Sequence, residues 1–296
     1  MAVGCVAGDA QSYILFCDFF DRVIEAHQGH KMTKSQKSDF NYANLKGGDN
    51  FDSAYVLSCE VRVSRNVEDF SFPTHCSRAE RRQLLTLARR VLSQVGAEFP
   101  GRLYPLGEGD RAAAEVGGRP KVQPPSDLMI KTGVTRDWPD ARAVWASKDG
   151  SLVVWINLED HLQLAAKRTD ANIREAFECI CINLLKLEAL YRKLRRPLCG
   201  KEQLGWVVSS PAEVGTALRA SVCMKLQHLP QHKRLQGVLE RLRLRMDTTE
   251  AGELQPTQEQ SCDGVVVDSP HCRAPGCAAP PQVHGGSPWW WTPGRP

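Results

Sequence analysis

The sequence has no apolar run of about 18 residues, which is the length that a membrane-spanning helix needs. Residues 1–9 lack the basic start and the long apolar segment of a secretory signal peptide, so we expect none. The 38 Lys and Arg residues are interspersed among 34 Asp and Glu residues and leave a net charge of only +4. No basic stretch calls for a nucleic-acid partner. We therefore expect a protein that has neither a membrane nor a nucleic acid as its partner.

Two common phosphate-binding loops are also missing. The sequence contains neither G-x-x-x-x-G-K-[ST] nor a G-x-G-x-x-G that follows a strand. A chain without these loops that binds phosphates must use arginines, because the planar guanidinium suits phosphate oxygens. Arg62 and Arg219 lie in stretches with a regular pattern and are the candidates. The alternative for any single arginine is a surface side chain that only improves solubility.

The 11 cysteines form no disulfide pattern. Their number is odd and they are scattered, which argues against a complete disulfide framework. Several fall inside apolar helix or strand patterns, as reduced core thiols of cytoplasmic proteins do. Near the C-terminus Cys262, Cys272 and Cys277 lack the tight C-x-x-C spacing that is typical of a zinc site. We therefore expect a cytoplasmic protein without a metal site of its own.

Hydrophobic periodicity divides the chain into strands and helices. Tyr55–Arg65 alternates apolar with small or charged residues, as a strand with one apolar face does. A capping box, in which Glu80 follows Ser77 by three residues, begins one of the helices. The predicted helices cover residues 9–27, 77–95, 172–194 and 229–245. Further strands are predicted at residues 205–209 and 221–226, and a loop is predicted at residues 100–125.

The composition changes after Met246. Residues 247–296 are rich in Pro, Gly, Gln and Ser, show no sustained period, and include Trp289, Trp290 and Trp291. Such a segment buries too little apolar area to offset the loss of chain entropy on folding. We therefore expect residues 1–246 to form one domain and residues 247–296 to form a disordered tail.

A buried strand that ends in polar side chains is the first candidate for a catalytic site. Leu152–Ile156 is an apolar, β-branched and aromatic run, which is typical of a buried strand. It leads directly into Asn157, Leu158, Glu159, Asp160 and His161. A rigid strand fixes the position of an acid or base at its end. The alternative is a strand that runs into an ordinary polar turn.

Several stretches together resemble the phosphagen kinases, the ATP:guanidino phosphotransferases, and most closely the cytosolic creatine kinases. They occur in the same order as in the family, and the ordered set is far more specific than any single motif. The stretches are V-G-C-V-A-G-D (3–9), N-L-K-G-G-D (44–49), Y-V-L-S (55–58), H-C-S-R-A-E-R-R (75–82), R-D-W-P-D-A-R (136–142), E-D-H-L (159–162), V-G-T-A-L-R-A (214–220) and R-L-R-L (241–244).

The resemblance implies an α+β fold, in which an antiparallel β-sheet is flanked by α-helices. In the family a small helical domain precedes this catalytic domain and supplies a loop that closes over the guanidino substrate. The present sequence begins where that small domain has ended, so we expect the small domain to be missing and the catalytic domain, residues 1–246, to be incomplete.

The resemblance also assigns roles to individual residues. Glu159 matches the carboxylate that orients the guanidinium and acts as a base. The matches to nucleotide-binding positions are Ser58, Arg62, His161 and Arg219. Five other positions depart from the family pattern. The family has arginine where this sequence has Glu60, Gln163 and Asp247. It has glutamate at the position of Leu158 and cysteine at the position of Ser210. No residue matches a metal ligand.

The expected function is that of a creatine-kinase-like phosphotransferase, which moves a phosphoryl group between ATP and creatine. Its cofactor would be Mg-ATP or Mg-ADP, and its partner a second copy of the chain or a creatine kinase subunit. Replacement of three arginines by two carboxylates and one amide makes the site about five charge units more negative, so we expect impaired activity. The alternative is an inactive relative that acts as a binding or assembly subunit, or an incomplete gene product.

Overall fold

The computed structural model describes residues 4–28, 39–49, 51–95, 100–107, 127–225, 234–242, 244–248 and 265–269. The α-helices in these ranges are α1 (Ser12–Leu15), α2 (Cys17–Gln28), α3 (Arg78–Val95), α4 (Asp127–Lys131), α5 (Ile173–Lys193) and α6 (Leu235–Leu242). The strands are β1 (Val56–Arg65), β2 (Gly101–Pro105), β3 (Ala143–Ser147), β4 (Leu152–Ile156), β5 (Leu162–Arg168), β6 (Gly200–Lys201), β7 (Gly205–Trp206), β8 (Leu218–Met224), β9 (Arg245–Thr248) and β10 (Val265–Ser269). Two short 3-10 helices cover Tyr42–Asn44 and Pro211–Glu213.

Eight strands form one sheet in the order β2-β3-β4-β5-β1-β8-β10-β9. Every neighbouring pair in it is antiparallel. Strands β6 and β7 form a separate two-stranded sheet. The predicted fold class, an antiparallel sheet flanked by helices, is therefore confirmed.

One face of the large sheet packs against α3 and α5. Because successive side chains of a strand point to opposite faces, Val61 and Val63 of β1 lie on this side and are buried. Leu164 of β5 joins them, and Leu84 of α3 and Ile180 of α5 cover the group from the helices. Burial of these apolar stripes is what holds the helices on the sheet. The polar residues between them, among them Glu60 and Arg62, consequently lie on the opposite face.

The helix starts follow the capping rules. Ser77 and Glu80 form the predicted capping box, in which the backbone N–H of Glu80 donates to Ser77 Oγ (3.2 Å) and that of Ser77 donates to Glu80 Oε2 (2.7 Å). At the start of α5, Asn172 accepts a hydrogen bond from the backbone N–H of Glu175 (3.1 Å). These caps place α3 and α5 where the sequence predicts them.

A second apolar cluster joins the N-terminal helices to the rest of the domain. Tyr13, Phe20 and Ile24 of α1 and α2 pack with Phe72 and with Val207 and Val208, which follow β7. The Tyr13 hydroxyl donates to the backbone carbonyl of Val208 (2.8 Å). Residues 207–209 are thus buried under α2 rather than paired in a strand, and β7 is shorter than the predicted strand at residues 205–209.

Other elements also differ from the sequence prediction, among them the helix predicted over residues 9–27, which is divided into α1 and α2. Strand β2, which pairs with β3, lies in the segment that is predicted as a loop. The glycine and proline at its two ends are typical of loops, and they are tolerated here because β2 is an edge strand. The predicted helix at residues 229–245 is a helix over Leu235–Leu242, and residues 229–233 lie outside the described ranges. Strand β5 follows the polar turn directly, in a stretch for which the sequence made no prediction.

The C-terminal segment contains regular structure within the described residues. Strand β10 pairs with β8 and with β9, so Val265–Ser269 and Arg245–Thr248 extend the large sheet. The prediction of a disordered tail over residues 247–296 is corrected at these positions, while the rest of the tail lies outside the described residues. Across the described ranges, no helix has both the length and the apolar character needed to cross a membrane.

Candidate active site

Two arginines lie side by side on the face of the sheet that is opposite to α3 and α5. In the antiparallel register, Arg62 of β1 is the direct partner of Arg219 of β8. Directly paired residues project to the same side of a sheet, with Cβ atoms about 5 Å apart. The sheet therefore brings together two residues that the sequence separates by more than 150 positions.

The Arg62 guanidinium is already held by a carboxylate of its own strand. Its Nε and Nη2 donate to Glu60 Oε1 at 3.0 and 2.6 Å, and the guanidinium lies over the Trp155 ring, 5.6 Å from the ring centroid. The Arg62 side chain is 39% exposed. Glu60 and Arg62 alternate with buried valines, which is why both side chains reach the same face.

Arg219 has a carboxylate partner too. Its Nη2 lies 3.1 Å from Oε1 of Glu213, which ends the 3-10 helix before β8. The Arg219 side chain is 43% exposed. Arg62 and Arg219, which we call the arginine row, thus both form ion pairs within the chain.

The turn between β4 and β5 holds the acidic cluster. Asn157 opens it in a left-handed backbone conformation (φ +58°), which Asn tolerates better than most residues. Its side-chain amide donates to the backbone carbonyls of Arg81 (2.9 Å) and Ala141 (2.8 Å). The turn is therefore anchored to α3 and to the segment before β3.

Asp160 is the centre of a buried hydrogen-bond network. One carboxylate oxygen accepts from the side-chain amide of Asn66 (2.7 Å) and from the backbone N–H of Ser209 (2.9 Å). Asn66 also accepts from the backbone N–H of His161 (2.8 Å). Burial raises the pKa of Asp160 to about 6, and the charges of Glu213 and Glu159 act in the same direction. This network fixes the position of the turn.

Glu159 is the exposed member of the turn. Its side chain reaches solvent, while its backbone carbonyl accepts a hydrogen bond from Ser209 Oγ (3.0 Å). Leu158 beside it is half-buried. The turn precedes β5, and the start of β5 lies at the same end of the sheet as the start of β8, which carries Arg219. A carboxylate on a rigid turn therefore stands at the arginine end of the sheet.

His161 lies inside the fold, in contrast to Glu159. It is buried, its Nδ1 accepts from the backbone N–H of Val67 (3.0 Å), and its Nε2 donates to the backbone carbonyl of Ser71 (2.9 Å). Burial lowers the pKa of His161 to about 4. With both ring nitrogens bonded to the backbone, His161 is part of the scaffold of the turn. The assignment of His161 as a nucleotide-binding residue stays a prediction, and a nucleotide would have to displace one of these two hydrogen bonds.

The sequence and the fold have known relatives. The model of the ATP:guanido phosphotransferase C-terminal catalytic domain matches residues 89–261. The family model of the ATP:guanido phosphotransferase N-terminal domain matches residues 1–25. The chain belongs to the ATP:guanido phosphotransferase family.

Curated relatives in the family include M-type creatine kinases. The chain is 40% identical to the Sus scrofa enzyme and 41% identical to the Gallus gallus enzyme over 252 residues, which is 82% of this chain. The match spans 65% of the length of each relative. Residues 1–25 match the family's N-terminal domain, so the chain contains a short stretch similar to that domain. The catalytic-domain match also continues past the predicted boundary at residue 246.

Solved phosphagen kinase structures share the fold. The crystal structure of lombricine kinase aligns with a TM-score of 0.78 and 30% sequence identity over 92% of this chain and 75% of that chain. The substrate-free duplicated taurocyamine kinase from Schistosoma mansoni aligns with a TM-score of 0.80, over 92% of this chain and 38% of that chain. At 24% identity, the second likeness concerns the fold alone.

The positions that depart from the family pattern are spread over the site. Glu60 lies in the arginine row, and buried Gln163 of β5 is paired with Ser64 of β1 and Trp155 of β4. Ser210 is half-buried and precedes the 3-10 helix. Asp247 lies in β9, two strands away from β8, where its backbone pairs with Val266. The retained Ser58 is buried in β1, across from Cys223.

Sequence reasoning missed two contributors. Glu213 pairs with Arg219. The sequence feature that could have indicated this pair is a carboxylate shortly before the strand that carries Arg219. Asn66, directly after β1, organises the turn through contacts with residues about 95 positions away. No local sequence pattern predicts such a long-range contact.

Proposed function

We propose that this chain is a creatine-kinase-like phosphotransferase of reduced activity, which moves a phosphoryl group between Mg-ATP and creatine. The observation that carries the proposal is the cross-strand row of Arg62 and Arg219 at the end of the sheet where the Glu159 turn lies. Half-exposed guanidinium groups suit phosphate oxygens, and an exposed carboxylate suits a guanidinium. The family membership supports the same class of reaction.

In the proposed reaction, a guanidino nitrogen of creatine attacks the γ-phosphorus of ATP. The bond from that phosphorus to the bridging oxygen of ADP breaks, and Glu159 accepts the proton that the nitrogen loses. Arg62 and Arg219 neutralise phosphate charge, which is the main contribution of a protein to phosphoryl transfer. Within the described residues no three His, Cys, Asp or Glu side chains converge as metal ligands, so Mg²⁺ would arrive on the nucleotide.

The reduced activity follows from the charges of the row. Glu60 accepts two hydrogen bonds from the Arg62 guanidinium. Glu60 also stands where the family pattern has an arginine. Loss of one donor to developing charge typically costs about 10²–10³ in rate. Gln163 and Leu158 remove further groups that the family pattern implies. We expect turnover several orders of magnitude below that of an enzyme with the full arginine set.

A second candidate function is that of a non-catalytic binding or assembly subunit, alone as a homodimer or with a creatine kinase subunit. The observation that favours it is that both arginines of the row already have carboxylate partners within the chain. In this case creatine and nucleotide would not be turned over, and the family fold would serve association.

A coupled assay separates the two functions. Purified chain is mixed with phosphocreatine and Mg-ADP, and ATP formation is followed with a second enzyme. The proposed function predicts slow ATP formation that Glu159→Gln abolishes and that the control Glu68→Gln leaves unchanged, since Glu68 pairs with Lys201 and not with an arginine of the row. ATP formation that persists in Glu159→Gln, or none at all in the unaltered chain, would contradict it.

We propose a cytoplasmic location for this activity. Cys59, Cys181 and Cys199 are buried thiols, and burial raises their pKa to about 11, 12 and 11. A raised pKa keeps a thiol protonated and unreactive, as in reduced core cysteines.

A further inference from the structure

We propose that Glu213 limits nucleotide affinity by occupying the Arg219 guanidinium in competition with phosphate. A nucleotide would then bind the arginine row only by displacing a carboxylate of the chain itself. The inference rests on the proposed function for one point, namely that phosphates approach Arg219. It adds Glu213, to which the family resemblance assigns no role, as a residue that determines the affinity for nucleotide.

The geometry of the pair is that of an exposed contact which a ligand can replace. Glu213 Oε1 lies 3.1 Å from Arg219 Nη2, and the two side chains are 27% and 43% exposed. A guanidinium binds a carboxylate or a phosphate through the same N–H groups, so one anion excludes the other at those groups. Because exposed ion pairs are weak, a phosphate with more negative charge can take the place of the carboxylate.

The backbone holds Glu213 in this position. The next residue, Val214, is buried, and its carbonyl accepts a hydrogen bond from the Gln28 side chain (2.6 Å). Gly215 is bridged to Trp206 of β7 by two backbone hydrogen bonds of 2.7 and 3.2 Å. Glu213 is therefore presented to Arg219 by a segment that is fixed on both the α2 and the β7 side, and not by a loose surface loop.

The neighbouring strand repeats the arrangement. Arg62, the cross-strand partner of Arg219, is held by Glu60. The row thus carries two positive and two negative side chains, so an approaching phosphate meets a locally neutral surface. The negative charge of Glu213 also reaches the adjoining turn, since it contributes to the raised pKa of Asp160. Removal of the Glu213 charge should consequently make the whole end of the sheet more favourable for an anion.

The test is the affinity for Mg-ADP, measured by isothermal titration calorimetry. Glu213→Gln keeps the shape of the side chain and removes its charge, and should tighten Mg-ADP binding about threefold to tenfold. In the Arg219→Ala background, the same Glu213→Gln change should tighten Mg-ADP binding much less, because most of the gain requires a released Arg219. The matched control is Glu68→Gln, which removes a carboxylate of similar exposure (37%) from its pair with Lys201 and should leave the affinity unchanged.

Two results would overturn the inference. Unchanged affinity in a folded Glu213→Gln variant would mean that the pair does not compete with nucleotide, and weaker binding would mean that Glu213 orients Arg219 instead. Glu213→Asn serves as the second variant if Glu213→Gln does not fold. The coupled phosphocreatine assay keeps the two proposals apart. Tighter Mg-ADP binding without turnover in any variant would support this inference and reject the proposed function, while turnover without tighter binding would do the reverse.

Discussion

Two groups of polar residues meet at one end of the sheet, and they differ in burial. Asn66, Asp160 and His161 of the turn network are 0%, 2% and 1% exposed, and each is hydrogen-bonded to other parts of the fold. Arg62 and Arg219 of the arginine row are 39% and 43% exposed and contact single carboxylates. The turn network belongs to the scaffold, whereas the row is the exposed surface on which we propose that a ligand binds.

The difference in burial has an energetic consequence. A buried polar group that loses its partner costs about 1–3 kcal/mol, and more when it is charged. An exposed ion pair contributes about 0–1 kcal/mol. Charge changes such as Glu60 in the row therefore alter ligand binding with little effect on folding, whereas changes in the turn network would destabilise the domain. This contrast explains how a chain can keep the family fold and yet carry a neutralised arginine row.

The largest effect on stability should come from Asn66→Ala. The substitution removes one donor from the Asp160 carboxylate and the acceptor of the buried His161 N–H. We expect the free energy of unfolding to fall by about 2–4 kcal/mol, measured by urea denaturation. Arg62→Ala is the matched change in the row and should cost less than about 1 kcal/mol. Equal losses in the two variants would remove the contrast between scaffold and surface.

A pH series on Asp160→Asn should give the next largest effect. His161 has a folded pKa of about 4, below its ordinary value of 6.5, so its contribution to stability increases as pH rises from about 4 to 6.5. Asp160 has a folded pKa of about 6, above its ordinary value of 3.8, so its contribution decreases over about the same range. In the unaltered chain the two trends oppose each other.

Asp160→Asn removes one of the two trends. The variant should gain about 3 kcal/mol of unfolding free energy relative to the unaltered chain between pH 4 and 6.5. Urea denaturation at several pH values measures this difference. The groups that act on the two side chains from neighbouring elements are Glu213, Glu159 and Glu80, and the substitution leaves them in place. Parallel pH profiles of the two proteins would show that Asp160 is not the buried acid of this network.

Local patterns predicted the longest strand and the two longest helices. The alternation in Tyr55–Arg65 predicts β1, and the capping box at Ser77 predicts the start of α3. The apolar stripe of residues 172–194 predicts α5 almost to the residue. These elements have a period or a cap that can be read within a few turns or strand residues. The antiparallel arrangement itself came from the resemblance to the family.

The parts that escaped prediction depend on contacts between distant residues. Strand β10 pairs with β8 although about 40 residues separate them, and β2 is an edge strand with glycine and proline at its ends. In the site, Glu159, Arg62 and Arg219 were predicted together from the motifs. The burial of His161 and the pairing of Glu213 with Arg219 were not, because both follow from the packing of separate segments.

The most direct test of the account is the effect of Glu60→Arg on Mg-ADP affinity and on stability in the same protein. The substitution releases the Arg62 fork and adds the arginine that the family pattern places there, next to Lys167 on β5. The variant should bind Mg-ADP about tenfold more tightly, and its free energy of unfolding should change by less than about 1 kcal/mol. Unchanged Mg-ADP affinity in a stably folded Glu60→Arg variant would contradict the claim that charge in the arginine row, and not the scaffold, limits this site.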